Sequence, residues 1–191
     1  MNEKRKGEAY GWHFIRADYP YTHRMFRVRQ DTVRWPDGRV RPFTYIETKP
    51  VVVIVPVTPV GEVVLIRQFR YPLDAWFWEL PAGGSHDFDG DDLLELARRE
   101  LREEIGGTAE RWVSLGTCYL GLGLMPQRLH LYLAEGVRLG KQHTEVGEII
   151  EVHPLPFERA LAMARSGEIA SGPIACALFR AEPHLRVSFP R

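Results

Sequence analysis

Apolar positions along this chain recur at two spacings, and the change from one to the other marks out its elements. Residues 25–35 and 40–47 are rich in β-branched and aromatic side chains and flank Trp35-Pro36-Asp37-Gly38-Arg39. Pro-Asp-Gly supplies the backbone angles of a tight reversal, so the pattern predicts a hairpin. Further strands are predicted at 51–58 and 62–70, split by Pro59-Val60-Gly61, the second passing into the alternation Ile66-Arg67-Gln68-Phe69-Arg70. Another strand is expected to end with Glu79-Leu80-Pro81-Ala82-Gly83-Gly84. From Asp91 to Ile105 the period changes: Leu94, Ala97, Leu101 and Ile105 fall three or four apart, on one face of a helix that Gly106-Gly107 stops. Strands resume at 112–120, 129–137 and 148–154; helices follow from Pro156 to Gly167 and over 172–182. Strands and helices intermingle without regular βαβ alternation, which predicts a mixed α/β sandwich.

Composition adds limits. A chain of 191 residues, 45% hydrophobic and 26% charged, suits one main globular domain with a small appendage. Its formal net charge of zero gives no global attraction to nucleic acid or to an anionic membrane, so a polyanionic ligand needs a local cluster of donors or a metal. Cys118 and Cys176 stand far apart without metal-site spacing and read as buried free thiols. Nothing resembles an export signal, and the longest apolar run, Val51 to Val57, is far short of the roughly 20 residues of a membrane span; a cytoplasmic protein is expected.

The chemistry concentrates on Arg99-Glu100-Leu101-Arg102-Glu103-Glu104. Helical neighbours lie three and four apart, so Glu100 projects beside Glu103 and Glu104; like charges so placed cost about 0.2–0.5 kcal/mol per pair. Divalent cations would relieve that cost, and oxygen-only ligands favour magnesium, with manganese possible. The hexapeptide alone equally suits a solvated helix face, its glutamates paired to Arg98, Arg99 and Arg102. Upstream, Glu79-Leu80-Pro81-Ala82-Gly83-Gly84 and a polar loop lead into the helix, a strand, glycine loop and acidic helix in succession.

This block resembles the Nudix box, and the part from Arg99 to Gly106 matches it at every specified position. The resemblance implies a Nudix-type α/β/α sandwich with a mixed sheet. It also implies metal ligation by Glu100, Glu103, Glu104 and the Ala82 carbonyl, with Glu103 and Arg99 serving catalysis and Arg99 orienting the glutamates. Three departures stand out: Asp91 replaces the first box glutamate, seven residues rather than five separate it from Gly83, and Gly107 replaces an aliphatic residue.

The flanks are similar to the ADP-ribose and nucleoside-diphosphate-sugar pyrophosphatase branch. That likeness implies an N-terminal antiparallel β subdomain over 1–47 that makes a homodimer, and a hydrolase domain over 48–191. It implies a magnesium-dependent cleavage of a nucleoside diphosphate sugar, with Arg67, Phe69, Arg70, Trp78 and Glu79 as substrate-binding candidates; stacking and bidentate hydrogen bonds suit a base and a diphosphate. Gly121-Leu122-Gly123 and Gln127 stand where ADP-ribose pyrophosphatases usually carry Ser-Pro-Gly and a glutamate, which leaves other sugar nucleotides open. A late-loop glutamate is the favoured base in that branch; here Glu148 fits it better than Glu145. A Nudix enzyme for FAD or NADH, and a ligand-binding regulator without turnover, stay as alternatives.

Overall fold

The computed structural model describes residues 5–87, 90, 92–144 and 146–188. They form two compact units, one holding the described residues up to Lys49 together with Gly121–Gln127, the other Pro50–Leu120 and the described residues from Arg128 onward.

In the first unit, a 3-10 helix (Arg5–Tyr10) precedes three antiparallel strands, β1 (His13–Thr22), β2 (Phe26–Arg34) and β3 (Val40–Thr48), in that order across the sheet. The expected hairpin is β2–β3, closed by Trp35 N–H to the Arg39 carbonyl at 2.8 Å, with Gly38 at φ +81°. β1 escaped the sequence reading because its pairing is broken between Phe14 and Arg16 and again between Asp18 and Tyr21, so no two-residue period survives. One sheet face carries a buried ion pair: Arg29 Nε donates to Asp31 Oδ1 at 2.7 Å, and the Tyr45 hydroxyl donates to Asp31 Oδ2 at 3.4 Å. Beside it, Gly7, Trp12, Phe14, Val33 and Phe43 line a cavity of about 370 Å³. The Gly121–Gln127 loop is tied to β3 by Ile46 N–H to the Leu124 carbonyl, 2.8 Å, and by Gln127 Nε2 to Thr48 Oγ1, 2.7 Å. Gln127 therefore serves as a strut for that loop.

The second unit is a seven-stranded mixed sheet. Its strands are β4 (Val51–Val57), β5 (Glu62–Arg70), β6 (Ala75–Glu79), β7 (Ala82–Gly84), β8 (Arg111–Tyr119), β9 (Arg128–Glu135) and β10 (Ile150–Pro156). The order is β10-β5-β4-β9-β8, with β6 on β5 and β7 on β4; β4–β9 is the parallel pair. Helix α1 (Leu93–Ile105) covers one face through Leu96, Leu101 and Ile105 against Val52, Ile54, Val64 and Ile66. Helices α2 (Phe157–Ser166) and α3 (Gly172–Ser188) cover the other through Leu161, Met163 and Leu178 against Val53, Val55, Leu65 and Leu131. β4 is thus buried on both faces, which is why its sequence is unbroken apolar. The α/β/α layers and the added antiparallel sheet are those the sequence implied. α3 runs past Pro183, beyond the expected stop at 182: the ring removes one N–H, but Leu185, 3% exposed, holds the last turns in the core. Cys118 and Cys176, remote in sequence, meet between β8 and α3, each half-buried.

Candidate active site

The site grows from how α1 is started, stopped and seated. Asp92 accepts the Leu94 N–H at 2.9 Å as N-cap, and Gly106 ends the helix in the left-handed conformation. The apolar stripe faces the sheet, which places Glu100 and Glu104 at the edge of the buried surface, 8% and 3% exposed. β7 is pinned to β4 through Val53↔Ala82 and Val52↔Gly83, bringing the glycine strand under them. Ala82 N–H donates to Glu104 Oε2 at 3.1 Å. Gly83 leaves room for the Glu100 carboxylate, which a Cβ there would overlap.

Burial is the main force on both carboxylates. It raises the proton affinity of Glu100 against the opposing pull of Arg99, and holds Glu104 well above the ordinary carboxylate range despite the Ala82 N–H. The charges of Glu100 and Glu148 push Glu104 further the same way. Arg99 spans two of the helix glutamates, donating from Nη2 to Glu100 Oε1 at 3.1 Å and lying 3.6 Å from Glu103 Oε2 through Nε. Glu103 is turned to Arg99, and among the described residues no three His, Cys, Asp or Glu side chains stand grouped to hold an ion. The donor chemistry nonetheless fits a hard divalent cation: two desolvated carboxylates whose negative form is costly without positive charge. The alternative of a solvated face does not describe Glu100 and Glu104; of the helix arginines, Arg98 pairs outward with Glu95 instead.

Two more groups reach this patch. Arg70 forms a two-pronged bond with Glu79, Nε to Oε1 at 2.7 Å and Nη2 to Oε2 at 2.6 Å, and this bond chiefly raises its proton affinity, with smaller contributions from the charges of Glu104 and Glu148. Glu148, half-buried just ahead of β10, adds its field at Glu100, Glu104 and Arg70. Asp91 and Glu145, the other two acids singled out in the sequence, lie outside the described residues.

The five substrate-binding candidates do not stand together. Strand register sends Arg70 and Glu79 to the α1 face with Ile66, and Arg67, Phe69 and Trp78 to the opposite face with Leu65. There the Arg67 guanidinium lies over Trp76 and Trp78, 5.6 and 5.9 Å from the ring centroids, and 3.9 Å from Glu151. His153 meets Trp78 edge-on at 4.9 Å. The sequence reading missed Trp76, Glu151 and His153. Two-residue alternation on β6 and β10 carried their facing, but which strands adjoin β5 is a matter of topology.

A family model described as NUDIX domain matches residues 47–175. The chain is 29% identical to an ADP-ribose pyrophosphatase of Bacillus subtilis over 166 residues, covering 86% of this chain and 89% of that one. It is 35% identical to a GDP-mannose pyrophosphatase of Yersinia enterocolitica over 135 residues, 66% of this chain and 69% of that one. In fold it superposes on the crystal structure of an ADP compounds hydrolase with a TM-score of 0.81, at 17% identity over 94% of this chain and 97% of the other. With the helix glutamates seated on the glycine strand and the family model spanning both, the chain belongs to the NUDIX domain family and is a Nudix hydrolase.

Proposed function

We propose that this enzyme hydrolyses the diphosphate of ADP-ribose or a related nucleoside diphosphate sugar, releasing a nucleoside monophosphate and a sugar phosphate. One observation carries the reading: Glu100, Glu104, Glu148 and the Arg70–Glu79 pair share one electrostatic neighbourhood above Gly83. Magnesium, or manganese, bound by Glu100, Glu103, Glu104 and the Ala82 carbonyl would lower the pKa of a water and neutralise phosphate charge. Glu148 accepts the proton of the attacking water, its carboxylate held near the other acids by the loop before β10. Arg70, fixed by both oxygens of Glu79, presents its guanidinium to the diphosphate. Arg99 keeps Glu100 and Glu103 turned to one side of α1. The two free cysteines suit a reducing compartment, and we place the enzyme in the cytoplasm; no helix among the described residues is long and apolar enough to cross a membrane.

The N-terminal sheet leaves Ile15, Tyr19, Tyr21 and Val40 exposed, which supports its use as a homodimer contact. Light scattering at micromolar concentration then gives twice the chain mass; a fully active monomer refutes that part. Substrate is tested by offering ADP-ribose, ADP-glucose, GDP-mannose, UDP-glucose, NADH and FAD with magnesium or manganese. Turnover of a sugar nucleotide, with monophosphate and sugar phosphate in equal amounts, is expected. Preference for FAD or NADH would move the assignment to dinucleotides. Tight binding without turnover of any of them would replace it with a regulator.

A further inference from the structure

The loop that carries Glu148 is fastened to the end of α1 by a short strip, Gly140 to His143. Gln142 Nε2 donates to the carbonyl of Glu104 at 2.7 Å and reaches the carbonyl of Ile150, the first residue of β10, at 3.5 Å. The next residue, His143, donates its backbone N–H to the Glu103 carbonyl at 2.8 Å. Ahead of them Gly140 lies backbone against backbone on Gly106: a Cβ on Gly106 would overlap the Gly140 carbonyl, and one on Gly140 would stand 2.8 Å from the Gly106 oxygen. The last four carbonyls of a helix have no partner within it. Here two of them, on the residues that supply Glu103 and Glu104, are satisfied by this strip.

The same carboxamide therefore touches both ends of the catalytic arrangement. One bond holds the backbone of Glu104, which is more deeply buried than Glu100 or Glu148. The other holds Ile150, two residues after Glu148, where the ladder to β5 is continued by Phe69 N–H to the Ile149 carbonyl at 3.3 Å. We infer that Gln142 is a positioning residue for the hydrolysis, setting where Glu148 stands against Glu100 and Glu104 by clamping the end of α1 to the start of β10. The inference rests on Glu148 acting as the base. Gln142 itself takes no part in the proton transfer.

Gln142→Met keeps the side chain's length and removes its donor. Assayed on the best sugar nucleotide, it is expected to lower kcat about tenfold, as sub-ångström misplacement of a reacting group does, and to change KM less than about twofold. In a Glu148→Gln background the same substitution is expected to change kcat less than about twofold, because the group it places is already disabled. Melting should fall by no more than about 4 °C in either background. Full multiplication of the two losses would show that Gln142 acts elsewhere and would overturn the inference, as would a wild-type kcat for Gln142→Met beside a crippled Glu148→Gln. A wild-type kcat for Glu148→Gln itself would remove both the base and the need to place it.

Discussion

On the α1 side of the β5–β6 ladder, Arg70 is gripped by both oxygens of Glu79 and feels the charges of Glu104, nearly out of water, and of half-buried Glu148. On the other side, one step along the same strands, Arg67 lies over two indole rings with an exposed carboxylate 3.9 Å away. Both faces therefore combine an arginine with glutamate, but only the first confines its charges. Confinement is what raises the cost of charge on Glu100 and Glu104, and it makes that face responsive to a cation or a proton. The aromatic face offers area and weak attraction, suited to holding a flat group and unable to drive bond cleavage.

Glu104 is where the two faces should differ most. Glu104→Gln should lower turnover on the order of 10³-fold with saturating magnesium, while circular dichroism shows an intact fold; near wild-type kcat would strip the α1 face of its chemistry. Glu148→Gln comes next. General-base assistance is worth about 10²–10⁴-fold, and a loss near 10² is expected, in kcat and kcat/KM together; a change within about twofold would refute the role. Arg70→Ala should cost about tenfold in kcat/KM and also destabilise the fold, because the Glu79 side chain, 12% exposed, would be left without its cation. The smallest effects belong to the opposite face: Arg67→Ala and Trp78→Phe should leave kcat within about twofold, any change appearing in KM. A tenfold fall in kcat at Arg67 would erase the distinction between the faces.

Much of this was legible in the residues. The spacing of Leu101 and Ile105 with the glutamates fixed α1 and its acid patch, because a helix's period is local. That Glu100 and Glu104 go inward while Glu103 turns to Arg99 could not be read from charge, since all three are glutamates and both of the later ones lie within a turn of Glu100; the seating of α1 on β7 decides it. Arg67 to Arg70 and Trp78-Glu79 are contiguous in sequence and so look like one group. Contiguity on a strand means opposite faces, and Arg67↔Trp78 beside Ile66↔Glu79 assigns the members only once β6 is known to pair with β5. Gln142 gave no sign at all: its role depends on a carbonyl 38 positions away.

The meeting of Gly106 and Gly140 also bears on how such an enzyme can be altered. Its two backbones admit no side chain between them, so the strip behind the late loop has a fixed length and a fixed seat. The tip is different: Val146 is fully exposed and Gly147, at φ +99°, has open space where a Cβ would stand. Residues added near that tip would hang in solvent without shifting the seat, whereas one added between Gly140 and Gln142 would unseat the whole loop. Diversification of the late loop, whether by natural drift or by library design, is therefore channelled to a few positions at its crest.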